Sequence, residues 1–181
     1  MKGVLRKELL LKRRGVSKES ILARSMLAKE NHFSFPQFAK ASSAMFYVSF
    51  GREVSTREMI EESFSKKQVV VPKIFGDNLL PCKICSFSEL SRSYFNILEP
   101  INEKPFPISK LDVVIVPGLA FTKRGDRIGY GKGFFDRFLR KTSAFKIGLC
   151  LDEFLLEKIP TESGDEKVDA VITDKRVIVA K

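Results

Sequence analysis

Apolar positions in this chain fall into two patterns, and their alternation predicts the fold. Short apolar runs read as strands: Ala44 to Phe50, Gln68 to Lys73 (ended by Pro72), Leu111 to Val116, Lys146 to Leu151, Val168 to Thr173 and Arg176 to Ala180. Runs this continuous suit strands covered on both faces. Cys82 to Phe87 reads as a short edge strand. Residues 2–14 and 18–30 have helical periodicity, and Ser17 is placed to cap the second helix. Ser55-Thr56-Arg57-Glu58 has capping-box spacing and opens a helix through about Phe64. Glu99 to Pro107, with three prolines, is expected as a loop near the edge or mouth of the sheet. Strands alternating with helices predict an α/β fold with a mostly parallel central sheet, covered on both faces.

Length and composition narrow this further. A chain of 181 residues with 44% hydrophobic residues suits one domain with a sizeable core. No apolar run approaches the roughly 20 residues of a membrane span. Met1 to Arg14 is basic, but it contains Glu8 and no cleavage-like site follows, so it reads as a helix and not a signal peptide. The formal charge is +10, with cations concentrated at Lys2, Arg6, Lys7, Lys12, Arg13 and Arg14. That excess is either a solvated surface or an attraction for an anionic partner. No RNP-like motif accompanies it, so nucleic acid is not the expected partner. Cys82-x-x-Cys85 has half of a zinc-site spacing, but there is no second pair and His32 is the sole histidine. Cys82, Cys85 and Cys150 are expected as free thiols, and His32 as a surface or helix-end residue.

The densest signal is Val116 to Asp136, V-P-G-L-A-F-T-K-R-G-D-R-I-G-Y-G-K-G-F-F-D. A strand precedes it, a helical segment from Phe134 to Leu139 comes after, and Gly129, Gly131 and Gly133 alternate between Arg127 and Lys132. Glycines let backbone N–H groups close on an anion, and a helix start adds favourable partial charge. The pattern is neither the Walker nor the dinucleotide glycine motif, so a simple turn is the alternative. Asp136 either complements the helix dipole or serves a magnesium ion beside phosphate. Lys2 and Arg6, four apart, share one helix face, where an anion would relieve their repulsion; the alternative is a solvated face. In an open α/β sheet, Glu53 after the first strand and the glycine loop after the third would share one rim.

These residues resemble the 5-formyltetrahydrofolate cyclo-ligase (methenyltetrahydrofolate synthetase) family. The carrying stretch is D-V-V-I-V-P-G-L-A-F…G-D-R-I-G-Y-G-K-G-F-F-D-R-F-L, residues 112 to 139. Lys2-x-x-x-Arg6, Glu53-x-x-Thr56, Val71-Pro72-Lys73, Ile97-Leu98-Glu99-Pro100, Ile159-Pro160, Asp165 and Val168-Asp169 keep the family's order along nearly the whole chain.

The resemblance implies a single domain, residues 1–181, folded as a Rossmann-like three-layer sandwich. It also implies ATP-dependent conversion of 5-formyltetrahydrofolate to 5,10-methenyltetrahydrofolate, with ADP and phosphate released. The scheme it implies is transfer of the γ-phosphoryl group to the formyl oxygen, and then attack from N10. Carried over, Lys2, Arg6, Arg127, Ile128, Gly129, Tyr130, Gly131, Lys132, Gly133, Phe134 and Phe135 are the ATP-binding set, with Arg127 and Lys132 as catalytic cations. Glu53, Phe134 and Phe135 border the folate. Asp136 and Asp165 hold Mg²⁺. The implied partners are ATP and folate with one or several glutamates, in a cytoplasmic monomer without membrane or nucleic acid. Phe134-Phe135 stands in place of the usual Tyr-Tyr, Thr122 where aspartate is frequent, and Gly164 where histidine is common.

Overall fold

The computed structural model describes residues 1–93 and 97–180. Helices α1 (Lys2–Gly15), α2 (Lys18–Ser34) and α3 (Pro36–Lys40) precede the first strand, β1 (Ser43–Met45). Helix α4 (Arg57–Ser63) leads to the hairpin β2 (Gln68–Phe75) and β3 (Asn78–Ile84), then the small pair β4 (Leu90–Arg92) and β5 (Leu98–Pro100). Strand β6 (Val113–Val116) is followed by the hairpin β7 (Ala120–Thr122) and β8 (Arg127–Ile128), and then by α5 (Phe134–Leu139). The chain closes with β9 (Phe145–Leu149), β10 (Leu155–Leu156), β11 (Ala170–Ile172) and β12 (Val177–Val179).

The expected α/β architecture is present. The main sheet has the order β12-β11-β9-β6-β1-β2-β3. Its five inner strands are parallel, with Ala44 beside both Val69 and Val113, and Ile147 beside both Ile115 and Ala170. An antiparallel strand closes each edge. Along the sheet the parallel strands run second, first, third, fourth, fifth in chain order. Strand order therefore reverses between β1 and β6, and a crevice opens outside their carboxyl ends, where sheets of this kind take ligands. All four residues of β6 are buried, as are Met45, Val70 and Val71, within one connected apolar core.

Several elements differ from the sequence reading for identifiable reasons. The strand expected over Ala44 to Phe50 leaves the sheet after Met45, because the Thr56 hydroxyl donates to the Tyr47 carbonyl (2.7 Å) and accepts from Ser49 N–H (3.1 Å). The capping box does not form: Thr56 occupies the cap of α4 but makes no cap hydrogen bond. Pro72 does not end β2. It faces Pro81 across the hairpin. Phe106 N–H reaches the Pro81 carbonyl from outside the sheet (2.8 Å), so that pair exchanges no hydrogen bonds and no N–H is missed. The edge strand is Asn78–Ile84, earlier than Cys82 to Phe87. The start of the Glu99 to Pro107 loop belongs to β5, and the rest runs along the β3 edge, where Lys83 N–H bonds the Lys104 carbonyl (2.9 Å).

Ser17 does cap α2, accepting from Ser20 N–H at 3.1 Å. His32 lies in the last turn of that helix but is fully buried, its ring centroid 3.8 Å from that of Phe38. Burial, then the charge of Lys67, pulls its pKa down to about 3, so it is a neutral core residue and not a surface one. The three cysteines are free thiols.

Candidate active site

A cleft of about 730 Å³ lies at the switch point, outside the carboxyl ends of β1 and β6. Tyr47, Val48, Phe50 and Glu53 line it from the segment after β1, and Pro117 from the end of β6. The glycine loop and the start of α5 form a second wall, α1 contributes Lys2 and Arg6, and Glu162 to Asp165 close one end. Pro72, Ile74, Leu79 and Leu98 supply an apolar wall.

Helix α1 is unusual in which face it buries. Positions 2, 6, 9 and 13 fall on one side of a helix. Lys2, Leu9 and Arg13 are buried there and Arg6 is half-buried, while Val4 and Leu11 point to solvent. A helix that turns cations inward needs partners for them, and the site supplies these. Lys2 bonds Asp165 and lies 3.5 Å from Glu162. Arg6 Nε donates to the Gly129 carbonyl at 3.0 Å. Arg13 donates to the carbonyls of Gly118 and Leu119 (3.1 Å to the latter) and to the Tyr130 hydroxyl (3.1 Å).

The glycine loop differs from the expected strand-loop-helix unit. The β7–β8 hairpin intervenes after β6, and α5 has six residues, too few for a sizeable dipole. What favours an anion here is backbone and cations. Gly131 (φ +100°) and Gly133 (φ +68°) adopt backbone that residues with a Cβ disfavour. Arg127, its side chain 4% exposed, pairs with Asp136 at 2.5 Å and donates to the Pro117 carbonyl at 3.2 Å. Ile128 lines the cleft, although its side chain is buried in the core. Lys132 is exposed, and Phe134 and Phe135 are half-buried against the core.

The two carboxylates proposed for metal line the same cleft, and Asp136 accepts from the backbone N–H of Glu166 (3.2 Å), the residue after Asp165. Burial pushes Asp165 up, but its bonds to Lys2 and to Glu162 N–H, with the Lys2 and Arg127 charges, hold it below the ordinary range. Thr122 lies outside the cleft, its hydroxyl bonding Asp126 at 2.8 Å to close the β7–β8 turn.

Glu53 is 6% exposed. Burial raises its carboxyl to about 7, against the opposing influence of Phe50 N–H (3.1 Å), the Tyr130 hydroxyl and the Arg13 charge. Glu53 and Tyr130 of the glycine loop thus line one cleft and act on each other's charge. Sequence reasoning placed Tyr130 only among nucleotide contacts and gave Arg13 no site role. The signal for Arg13 was present in its helical phase with Lys2 and Arg6.

A crevice at a strand-order reversal, with cations and glycines at one side and an apolar wall at another, defines an α/β enzyme that brings a polyanion to a second, partly apolar molecule. The sequence profile of the 5-formyltetrahydrofolate cyclo-ligase family matches residues 1–174. The Escherichia coli K12 5-formyltetrahydrofolate cyclo-ligase is 31% identical over 175 residues, covering 92% of this chain and 96% of that one. The Mus musculus cyclo-ligase is 28% identical over 184 residues, covering 93% and 91%. The NMR structure of Aquifex aeolicus 5,10-methenyltetrahydrofolate synthetase superposes with a TM-score of 0.91 at 30% identity, covering 99% of this chain and 93% of that chain. The chain belongs to the 5-formyltetrahydrofolate cyclo-ligase family.

Proposed function

We propose that this cleft carries out the family's reaction, the ATP-dependent closure of 5-formyltetrahydrofolate to 5,10-methenyltetrahydrofolate with release of ADP and phosphate. The observation that carries the reading is the meeting, in one cleft, of a cationic glycine loop with a buried carboxylate beside an apolar wall. Lys2, Arg6, Arg127 and Lys132 attract the ATP phosphates, and the loop amides from Gly129 to Gly133 close around them. Glu53 faces the folate, whose ring system packs along the apolar wall with Phe134 and Phe135.

The formyl oxygen is a poor leaving group. It attacks the γ-phosphorus and ADP leaves; N10 then attacks the activated carbon, loses its proton, and expels phosphate with the former formyl oxygen. Such a sequence asks mainly for positioning and charge stabilisation. Arg127 and Lys132 are the cations assigned to the transferred phosphoryl group.

The donor set suits magnesium. Asp136 and Asp165 offer hard oxygens, and Mg²⁺ commonly takes one or two carboxylates together with phosphate oxygens. Among the described residues no group of three or more His, Cys, Asp or Glu is gathered for a metal, which leaves the remaining positions to phosphate and water. When bound, the ion neutralises charge on the phosphate oxygens. Asp136 and Asp165 are paired with Arg127 and Lys2 in this structure, so the carboxylates and cations assigned to MgATP hold each other in register.

The residues assigned to ATP and to folate share one cleft, so the reading asks for a single domain acting as a monomer. Free thiols support a cytoplasmic setting, and the net charge of +10 favours folates with several glutamates. Among the described residues no helix is long and apolar enough to cross a membrane. The deciding assay follows the absorbance of the methenyl product on mixing protein, 5-formyltetrahydrofolate and MgATP. Product is expected only with all three present, and its absence would refute the reading.

A further inference from the structure

Arg13 does not line the cleft, yet it is one of the most fully bonded side chains near it. It is 6% exposed, bonds the carbonyls of Gly118 and Leu119, and lies 5.2 Å from the centre of the Phe154 ring. Its remaining contact is from Nη1 to the Tyr130 hydroxyl at 3.1 Å. A guanidinium has donors and no acceptor. The Tyr130 oxygen must therefore accept from Arg13, and its own proton is left for another partner. The acceptor beside it is Glu53: both residues line the same cleft, and after burial the Glu53 charge is what holds the tyrosine up.

We propose that Arg13 is a positioning residue that acts through Tyr130, fixing the hydroxyl so that its proton is given to the Glu53 carboxylate that faces folate. Tyr130 then belongs to two loops at once. Its backbone lies among the phosphate-loop glycines, while its hydroxyl serves the folate side. The ring is held at its rim by Phe50, with centroids 5.7 Å apart, so the hydroxyl is located from both ends. A carboxylate held by one backbone N–H and one directed hydroxyl keeps a single orientation, which a substrate with a fixed donor pattern requires.

The other groups around Glu53 do not supply this bond. The Tyr47 hydroxyl is committed to the Val54 carbonyl at 2.9 Å. Lys18 and Arg57 line a smaller cavity of about 260 Å³ that Glu53 also borders, and Arg57 is paired with Glu61 at 3.2 Å.

This inference rests on Glu53 facing the folate, and the test separates the two ideas. The carboxyl ¹³C resonance of Glu53 is followed in labelled, ligand-free protein from about pH 5 to about pH 9, and the Tyr130→Phe variant is expected to raise its midpoint by about one unit. Arg13→Met is expected to raise it at least as far, and Arg13→Lys, which keeps a charge and a donor, by less. Should Arg13→Met fail to fold, Tyr130→Phe still decides, because it leaves the Arg13 carbonyl bonds intact. An unmoved midpoint in Tyr130→Phe would overturn the proposal and leave Arg13 as structural cement. Binding of 5-formyltetrahydrofolate without nucleotide is expected to weaken several-fold in Tyr130→Phe, with ATP affinity unchanged. A shifted midpoint combined with loss of ATP binding instead would overturn the assignment of folate to Glu53, and the proposal with it.

Discussion

At the scale of single residues, the site holds a carboxylate whose burial works against stability. Glu53 is raised to about 7 from an ordinary 4.5, a difference worth about 3 kcal/mol. Below the ordinary value the group is protonated in both folded and unfolded states, and nothing is lost. As pH rises from there through 7, the unfolded chain releases its proton first and the folded state is progressively disfavoured. Glu53→Gln, which does not titrate, is therefore expected to gain up to about 3 kcal/mol on the wild type between pH 5 and 8. Thermal melts across that range check it, and a constant gap would show that Glu53 does not titrate there. Asp136 presents the opposite case, since it neutralises the buried Arg127 side chain. Asp136→Asn is expected to lower magnesium-dependent turnover at least tenfold, about 1.4 kcal/mol. It is also expected to destabilise the fold by about 1–3 kcal/mol, because the guanidinium loses its counter-charge. Activity unchanged across a magnesium titration would remove the metal assignment.

At the scale of elements, the glycine loop and α1 form one unit, because Arg6 clasps the Gly129 carbonyl. A Cβ on Gly131 would make ordinary van der Waals contact with the Arg6 guanidinium, Cζ and Nε both at 3.5 Å, but its φ of +100° is strained for any other residue. Gly131→Ala is expected to cost about 1–3 kcal/mol of local strain and to impair ATP binding more than folate binding. Equal loss of both ligands would mark the glycine as purely structural. The central elements were legible because their signals are local: β6 is an unbroken apolar run, and Ser17 caps the helix that starts at the very next residue. The short ones were not. Strands β7, β8 and β10 have two or three residues each and exist only because they pair with one another, so no periodicity announces them. Thr56 shows the same limit, since its capping pattern was overridden by the Tyr47 and Ser49 backbone seven to nine residues away. For the site, cations and glycines could be read from spacing. The grouping of Glu53, Tyr130 and Arg13 could not, because it draws on three segments far apart in the chain.

At the scale of the molecule, the topology itself locates the cleft, and ligand binding should be visible as stability. MgATP at about 100 times its Kd is expected to stabilise the fold by about 2.7 kcal/mol. Lys2→Ala and Arg6→Ala should shrink that gain at a fixed ATP concentration, while Glu53→Gln should retain it. Thermal shifts with each ligand alone separate the two sides, and a Glu53→Gln protein that lost only its response to ATP would reverse the arrangement. The packing behind the site has a genetic consequence. Phe121 fills the space left by two glycines: a Cβ on Gly118 would stand 2.7 Å from Phe121 Cζ, and one on Gly148 2.7 Å from Phe121 Cδ1. Phe121 pairs with Arg127 across the β7–β8 hairpin, so anything that lifts the ring also lifts the cation. In a pool of random alleles, Gly148 should therefore be depleted as sharply as the cleft residues, although it never faces a ligand.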